Sequence, residues 1–166
     1  IEALEMEYPL RVLRYELIKN SGGAGQFRGG LAIRKDIQAL VPMIFSAHAD
    51  RHTVSPWGLW GGKGGESGQF LLNPGKSQAQ RIRSKVSGIT IEKDNVLSAQ
   101  TAGGGGIGSP IEREKEKVLE DYLLGKISRR HALKEYGVVL KKSGKINQAV
   151  TESSRKKKRE LERDKP

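Results

Sequence analysis

The spacing of apolar residues changes near residue 100, from the short alternation typical of strands to the wider spacing typical of helices. Before that point, β-branched and aromatic residues occur in short runs between turns, and we predict a strand for each run. The period slips near Asp36, where we expect a bulge or bend. Residues 92–95 indicate a hairpin-like turn between the last two strands, and residues 76–85 are polar, basic and predicted to be exposed. The predicted strands are residues 11–18, 31–40, 43–49, 68–72, 89–91 and 96–100.

After residue 108 the pattern predicts a helix. Ser109, Pro110 and Glu112 have the form of a helix start, with a serine N-cap, a proline at the first helical position and a capping box. Gly125 is the expected C-terminal glycine. The predicted apolar face of this helix consists of Ile111, Val118, Leu119, Tyr122 and Leu123.

A second, shorter helix is capped by Ser128 and ends at Gly137. Its Ala132, Leu133 and Tyr136 are predicted to face inward, and residues 138–140 form either a last strand or a docked extension. Together, these patterns predict an α+β protein: a β-rich domain of short strands and glycine-rich loops, followed by two C-terminal helices.

Composition narrows the classes of function. The 166 residues suffice for one domain, with or without a tail. The sequence has no Cys, which excludes disulfides, a thiolate metal site and a cysteine nucleophile, and favours a cytoplasmic protein. No apolar run approaches the ~18 residues of a membrane span, so we expect no membrane partner. The first residue is Ile1, which suggests a processed chain or one piece of a longer polypeptide.

Positive charge is concentrated near the C-terminus. The formal net charge is +11, and ten Lys/Arg against four Asp/Glu place +6 of it in residues 141–166. A basic run such as residues 155–159 is typical of a solvated segment, so we predict a disordered tail at 141–166 after a domain at 1–140. No aromatic residues interleave with the basic run to stack on bases, which argues against a nucleic-acid partner.

Four consecutive glycines, residues 103–106, precede the helix start at Ser109. Uncovered backbone amides before a helix N-terminus can bind an anion, so the run is a candidate anion site. The alternative is a hinge that turns the chain tightly between the sheet and the helix, and the sequence favours the hinge somewhat.

Asp50, Arg51 and His52 form a polar cluster at the end of the third predicted strand. Arg51 can pair with Asp50, or it can bind an anionic substrate or phosphate, and we give the two interpretations equal weight. His48 and His52 would lie ~13 Å apart along a strand, too far to share a metal ion. No serine, cysteine or carboxylate pair has the pattern of an activated nucleophile or an acid–base dyad, so no catalytic residue is assigned.

Several of these segments together resemble the C-terminal part of the hydantoinase B/oxoprolinase family. The resemblance rests on segments that cover residues 5–140 in one order and spacing, and the basic tail lies outside them. The segments are residues 21–30, 50–52, 56–62, 102–113, 118–121, 125–128 and 136–139.

The resemblance implies an ATP-dependent enzyme system like N-methylhydantoinase, 5-oxoprolinase, or the acetone and acetophenone carboxylases. In such systems, a hydantoinase A-type partner phosphorylates an amide or enolate oxygen, and the B-type subunit takes part in ring opening or carboxylation at a metal-containing site. We therefore expect a fragment or split subunit of an ATP-dependent amidohydrolase that opens a cyclic amide or imide of the hydantoin or 5-oxoproline type. The alternatives are a component of an ATP-dependent ketone carboxylase and a non-catalytic assembly subunit.

The same resemblance implies ATP with Mg on the A-type partner. It also implies a divalent metal in the N-terminal portion of a full B-type subunit, and that portion is missing from this sequence. We expect the chain to pack against the missing portion and the A-type subunit, and we assign no metal ligand within it. The candidate substrate- or anion-binding residues are Arg28, Arg51, His52, Gly103, Gly104, Gly105 and Gly106.

Overall fold

The computed structural model describes residues 1–163 and divides into two compact units. Each unit is assembled from three separate stretches of the chain. The boundary expected at residue 140 lies inside the second unit and does not separate the two. Unit 1 contains Ile1–Ile18, Ala32–Ser55 and Ser67–Ala102, and unit 2 contains Lys19–Leu31, Pro56–Glu66 and the chain from Gly103 onward.

Unit 1 contains two antiparallel sheets and a short N-terminal helix, so the expected β-rich part is confirmed. The larger sheet has the order β1-β2-β7-β4-β5, and the smaller one pairs β3 with β6. The elements are α1 (Glu2–Glu7), β1 (Leu10–Leu17), β2 (Ile33–Ala39), β3 (Met43–His48), β4 (Gln69–Leu72), β5 (Gln80–Ile82), β6 (Lys85–Ile91) and β7 (Val96–Gln100).

The irregularity expected near Asp36 lies in the partner strand. Val12 pairs with Ile37 and Arg14 pairs with Asp36, so Leu13 is the extra residue of a bulge in β1. The change in apolar spacing along β2 near Asp36 thus lies opposite a bulge in the neighbouring strand β1.

The segment at residues 76–85 is exposed as expected except at Ser84, which is half-buried, and at Ile82, which is buried in strand β5. One other expectation for unit 1 is wrong. The hairpin expected across residues 92–95 does not form, because β6 pairs with β3 whereas β7 pairs with β2 and β4 in the other sheet. Residues 92–95, whose sequence is compatible with a hairpin turn, therefore connect a strand of one sheet to a strand of the other.

Asp36 is a buried carboxylate within the larger sheet. The Arg34 guanidinium donates to both of its oxygens, at 2.7 to 3.1 Å, and Arg14 lies 3.6 Å from Oδ2. Burial raises the pKa of the Asp36 carboxyl, but hydrogen bonds from Arg34 and Ser98 outweigh burial and leave the pKa below its ordinary value. The ionised form is therefore the one that the fold stabilises.

Unit 2 begins with three glycine-rich segments, residues 21–30, 56–65 and 103–109, that bond to one another through their backbones. The Gly23 amide donates to the Gly104 carbonyl at 2.8 Å, and the Gly106 amide donates to the Lys63 carbonyl at 2.9 Å. The segments at 21–30 and 56–65 are joined by the Lys63 amide, which donates to the Ala24 carbonyl at 2.7 Å. Backbone hydrogen bonds therefore hold these segments together.

Close backbone approach explains the glycines of the run at 103–106. A Cβ atom added to Gly103 would overlap the carbonyl oxygen of Ser21, and one added to Gly105 would overlap that of Trp57. None of the four glycines has a positive φ. The four glycines are therefore needed for close backbone approach and not for a left-handed turn, which changes the physical reason given for the hinge interpretation.

The first predicted helix is interrupted. A 3₁₀ turn at Pro110–Glu112 is followed by Arg113 in an extended conformation (φ −65°, ψ 133°), and helix α2 then spans Lys115–Leu123. The extended backbone accompanies the placement of the Arg113 guanidinium, which donates to the Gln26 carbonyl at 3.0 Å and to Asp121 Oδ2 at 2.9 Å. A tertiary ion pair thus competes with the helical pattern.

Helix α3, Arg129–Tyr136, has the predicted ends. The Ser128 side chain accepts a hydrogen bond from the His131 amide at 3.1 Å, and Gly137 is left-handed with a φ of 64°. Two apolar predictions are wrong, because Leu123 and Leu133 are exposed. The apolar core of unit 2 consists of Ala24, Val118, Ile127, Ala132, Tyr136, Val138 and Leu140.

Helix α4, Gln148–Arg163, occupies most of the segment that was expected to be disordered. Its basic side chains bind carbonyl oxygens near the end of α3: Arg155 Nε donates to Tyr136 at 3.1 Å, and Lys158 Nζ donates to Lys134 at 2.7 Å. The helix dipole favours cations at a helix C-terminus, so these contacts at the end of α3 stabilise the basic segment as a folded helix. The last residues of the expected tail, 164–166, lie outside the described residues. In the part of the chain that the structure describes, no helix has the length and apolar character needed to cross a membrane.

Candidate functional site

A basic groove lies in unit 1 where the chain passes from one sheet to the other. β5 pairs with β4 in the larger sheet, a bend follows at Ser84, and β6 then pairs with β3 in the smaller sheet. The change of sheet exposes the corner at residues 81–85 beside the loop that follows β3. The groove has a volume of about 660 Å³ and is lined by His52, Thr53, Arg81, Ile82, Arg83, Ser84 and Lys85.

Three polar contacts join the two walls of the groove. The Ala49 amide donates to the Ser84 carbonyl at 2.9 Å, and Arg81 Nη2 donates to the His52 carbonyl at 3.4 Å. At the rim, Lys85 Nζ lies 3.9 Å from Asp50 Oδ1, both side chains being exposed. The contacts use backbone and a single acidic side chain, so most of the positive charge in the groove faces open space.

His52 separates the groove from a smaller, apolar pocket. Its ring centroid lies 4.7 Å from that of Phe70, which in turn meets Phe45 edge-on at 5.5 Å. Burial lowers the pKa of His52, and the positive charge of Arg81 lowers it further. At neutral pH the imidazole is therefore neutral, with one nitrogen that can donate a hydrogen bond and one that can accept.

Arg51 and His52, two of the predicted site residues, lie at the same groove. Arg51 has a left-handed backbone (φ 62°), its carbonyl accepts a hydrogen bond from Gly68 at 3.0 Å, and its side chain is exposed. It lines a shallow extension of the groove with Asp50 and Val54. A non-glycine residue in this conformation is uncommon and often accompanies a functional site.

Arg28 lies in unit 2 and is bound within the protein. Its Nε donates to Asp121 Oδ2 at 3.1 Å and its Nη1 donates to the Gly29 carbonyl at 2.6 Å, and the side chain is 13% exposed. Arg113 and Lys126 share the same carboxylate, at 2.9 and 3.8 Å. The assignment of Arg28 to an external anion is therefore corrected, because its Nε and Nη1 already donate to Asp121 and to the Gly29 carbonyl inside the protein.

The glycine run is likewise committed to internal partners. The amides of Gly103, Gly104 and Gly106 donate to the carbonyls of Glu66, Gly30 and Lys63, each at 2.9 Å. The proposed anion seat at residues 103–106 is corrected for these three amides, because backbone oxygens occupy the donors that an anion would need. At Gly105 the constraint is steric, because the carbonyl of Trp57 occupies the space that a Cβ atom would need.

Unit 2 contains a polar cleft that the sequence did not indicate. Lys63 Nζ lies 2.5 Å from Glu135 Oε2, and His131 is one turn before Glu135 on α3. For Glu135, burial raises the pKa, but the hydrogen bond and charge of Lys63 outweigh it and the pKa lies below its ordinary value. Burial lowers the pKa of His131. The cleft therefore contains an ionised carboxylate bound to Lys63, with a neutral imidazole one helical turn away.

Sequence reasoning missed the three cations on the groove wall, Arg81, Arg83 and Lys85. The segment was recognised as basic, and the recurrence of a basic residue at every second position was the signal that could have found them. Their common placement depends on the bend between two sheets, which no local pattern encodes.

The described residues do not fit the divalent metal that the family resemblance implies. Among the side chains that the structure describes, no three of His, Cys, Asp or Glu come together in a way that could hold a metal ion. Hard divalent cations require several oxygen or imidazole ligands at close range. We therefore derive no reaction step through a metal in this chain.

Comparison with known proteins identifies related chains. A family model described as hydantoinase B/oxoprolinase matches residues 1–110. A protein of Pseudomonas sp. (strain NS671), provisionally named as the B-type subunit of a D-/L-hydantoinase, is 38% identical over 157 residues, which cover 94% of this chain and 26% of the relative. An alignment of that extent omits about ten of the 166 residues, so it reaches into the basic segment that we expected to lie outside the family.

Two solved structures are also similar. An ATP-dependent caprolactamase from Pseudomonas jessenii aligns with a TM-score of 0.80 and 28% identity, over 94% of this chain and 28% of its own. Acetone carboxylase in its nucleotide-free form aligns with a TM-score of 0.74 and 25% identity, over 99% of this chain and 27% of its own. The chain thus spans about a quarter of the length of each of these three proteins.

Proposed function

We propose, from the premise that the chain belongs to the hydantoinase B/oxoprolinase family, that it forms part of an ATP-dependent amidohydrolase that opens a cyclic amide or imide of the hydantoin or 5-oxoproline type. The observation that carries the proposal is the family match over residues 1–110. It is supported by the 0.80 TM-score with a caprolactamase, an enzyme named for the opening of a cyclic amide.

The groove of unit 1 is the proposed contribution of this chain to substrate binding. His52 lies at its wall and Arg51 at its shallow extension, where a neutral imidazole and a cation can orient an anionic or polar group. Phosphorylating an unreactive amide oxygen makes it a good leaving group, so a complex of this kind must bind negative charge near the reacting carbonyl. Catalytic residues are not assigned within this chain.

The proposed partners are a hydantoinase A-type subunit that uses ATP with Mg, and the remaining B-type portion, which is proposed to hold the divalent metal. Exposed aromatic side chains in unit 2 support an interface with another polypeptide. Trp57, Trp60 and Phe27 are 63%, 83% and 62% exposed. Bridges join Phe27 and Leu59 to Ile107, which places apolar residues on adjacent backbone segments. Contiguous exposed apolar residues are typical of protein contacts. We propose a cytoplasmic location for this complex.

A ketone carboxylase component is the second candidate, and the TM-score of 0.74 with acetone carboxylase favours it. The two functions share ATP-dependent activation of an oxygen, and they differ in whether water or bicarbonate reacts next. The third candidate, a non-catalytic assembly subunit, is favoured by the commitment of Arg28 and the glycine run to internal contacts.

The test is to purify the affinity-tagged chain together with the proteins it assembles with and to identify them by mass spectrometry. ADP release is then measured with hydantoin, 5-oxoproline, or acetone plus bicarbonate. We expect an A-type and a B-type polypeptide, ADP release that depends on a cyclic amide, and one ring-opened product per ADP. ADP release only with acetone and bicarbonate would establish the carboxylase instead. Turnover of a cyclic amide by this chain alone would contradict the proposed division of labour.

The interface is tested separately with Trp60→Ser. We expect the variant to lose most of its co-purifying partner while its thermal unfolding stays unchanged, because the indole is 83% exposed. Leu124→Ser is a matched control in the same unit, since Leu124 is 59% exposed and lies outside the aromatic segment. Equal retention of the partner by both variants would remove the aromatic surface from the proposal.

A further inference from the structure

We infer that the groove of unit 1 binds the phosphoryl group of a small phosphorylated molecule, whose apolar part enters the adjoining pocket beside His52. The inference names a ligand class for the groove and rests on its geometry and charge. It rests on the substrate-binding role proposed above for the same groove and deepens it. Its test is a binding measurement on the full chain and not turnover, so its failure is distinguishable from failure of the proposed reaction.

Unbalanced positive charge is the first observation. Arg81, Arg83 and Lys85 all line the groove, and the contact of Lys85 with Asp50, at 3.9 Å, involves two exposed side chains. Among the side chains described by the structure, neither Arg81 nor Arg83 forms an ion pair with a carboxylate. Three cations facing one carboxylate leave a balance near +2, which matches a phosphate monoester with a charge of about −1.5 to −2 at pH 7.

The types of donor favour phosphate over a carboxylate. A guanidinium presents parallel N–H groups that match phosphate oxygens. Two guanidiniums can together bind the three terminal oxygens of a phosphate monoester, whereas a carboxylate offers only two. The hydroxyls of Thr53 and Ser84 line the same groove and supply further donors. The volume of about 660 Å³ lies within the range of small-molecule sites.

The adjoining pocket limits the rest of the ligand. It has a volume of about 180 Å³, and its apolar wall is formed by Ala49, Phe70, Ala99 and Ala102. At about 30 Å³ per water molecule, this space equals about six waters, which is enough for one small ring. His52 lines both the pocket and the groove, so a ligand bound across it would place its ring and its phosphoryl group on opposite sides of a neutral imidazole.

The test measures binding of three probes to the full chain by isothermal titration calorimetry and amide chemical shifts. The probes are phenyl phosphate, inorganic phosphate and benzoate, which separate the ring from the phosphoryl group. We expect phenyl phosphate to bind about tenfold more tightly than either of the others, with shifts at residues 52–53 and 81–85, and to weaken as salt is added. Equal binding of benzoate and phenyl phosphate, or shifts confined to other residues, would overturn the inference.

Two variants assign the two halves of the ligand. Arg83→Gln should weaken both phosphate probes about tenfold, whereas the matched control Lys93→Gln, an exposed cation outside the groove, should leave both unchanged. Ala49→Leu should fill the apolar pocket and make phenyl phosphate no better than inorganic phosphate. Ala102→Val is the milder substitution if Ala49→Leu does not fold. Undiminished phosphate binding by Arg83→Gln, or a retained preference for the ring in both pocket variants, would refute the proposed placement.

Discussion

The buried carboxylate of Asp121 offers the sharpest test of how unit 2 is held together. Asp121 is 4% exposed and lies within 3.1 Å of Arg28 and 2.9 Å of Arg113, whose side chains are 13% and 12% exposed. Asp121→Asn keeps the size of the side chain and removes its charge. Two largely buried guanidiniums, together with Lys126 at 3.8 Å, then lose their common counterion.

The expected cost follows from the uncompensated charge. Removing one partner of a buried ion pair costs about 3–5 kcal/mol. Arg28 and Arg113 each retain a hydrogen bond to a carbonyl, which places the expectation near the lower end, at ~3 kcal/mol. Against a total stability of about 5–15 kcal/mol, this loss is large. At a typical slope of about 1–3 kcal/mol per molar urea, the unfolding midpoint should fall by about 1–3 M.

The assay is urea unfolding of the full chain followed by circular dichroism, with Glu120→Gln as the matched control. Glu120 precedes Asp121 on α2 and is exposed, so its loss of charge should change stability by less than ~0.5 kcal/mol. In a double-mutant cycle, Arg28→Gln should cost less in the Asp121→Asn background than in the parent. Equal midpoints for Asp121→Asn and Glu120→Gln would refute the claim that this cluster stabilises unit 2.

Three further changes test other parts of the fold. Gly105→Ala should destabilise by about 1–3 kcal/mol because its methyl group overlaps a backbone carbonyl, whereas Gly30→Ala, with open space around it, should be neutral or slightly stabilising in the same thermal unfolding assay. The pKa of Asp36 is lowered in the folded state, so its contribution to stability is present above the ordinary pKa of 3.8 and is lost as the pH falls through the folded-state pKa. The difference in stability between the parent and Asp36→Asn should therefore shrink below about pH 4. A difference that does not depend on pH would contradict the assignment. Arg155→Met should cost about 1.5–3 kcal/mol by removing hydrogen bonds to two carbonyls, and Lys156→Met, on the exposed face of α4, should cost little.

The local parts of the fold were predictable because their signals are local. Strand alternation located β1, β2, β3, β4 and β7, and short-range hydrogen-bonding chemistry located the cap at Ser128 and the left-handed Gly137. These features depend on neighbours a few residues away, which the sequence displays directly.

The errors arose where distant partners decide the conformation. Arg113 leaves the helical region where its side chain meets Asp121, and α4 is ordered by carbonyl oxygens at the end of α3. In the sequence alone, the first looks like a continuous helix and the second like a solvated basic run. Pairing of β6 and β7 in separate sheets is likewise decided by tertiary structure, because a turn sequence does not specify which strands it connects.

The candidate site shows the same division. Arg51 and His52 could be found because they follow a predicted strand, and polar residues at strand ends often form sites. Arg81, Arg83 and Lys85 join them only through the change of sheet at Ser84. Arg28 illustrates the opposite case, since an arginine in a glycine-rich segment has the composition of an anion site and in fact donates to Asp121 within the protein.

Unit 2 therefore stabilises its glycine-rich segments by polar means. Glycines that let backbones approach closely cannot bury apolar side chains between those backbones, so hydrogen bonds and ion pairs must supply more of the attachment to the helices. The segment at 21–30 is attached to α2 by Arg28 and Asp121, and the segment at 56–65 is attached to α3 by Lys63 and Glu135. Such directional attachments hold each segment in one register, whereas an apolar contact alone would permit sliding. A rigid backbone bundle can then present its exposed aromatic residues in fixed positions, as an interface with a larger partner requires.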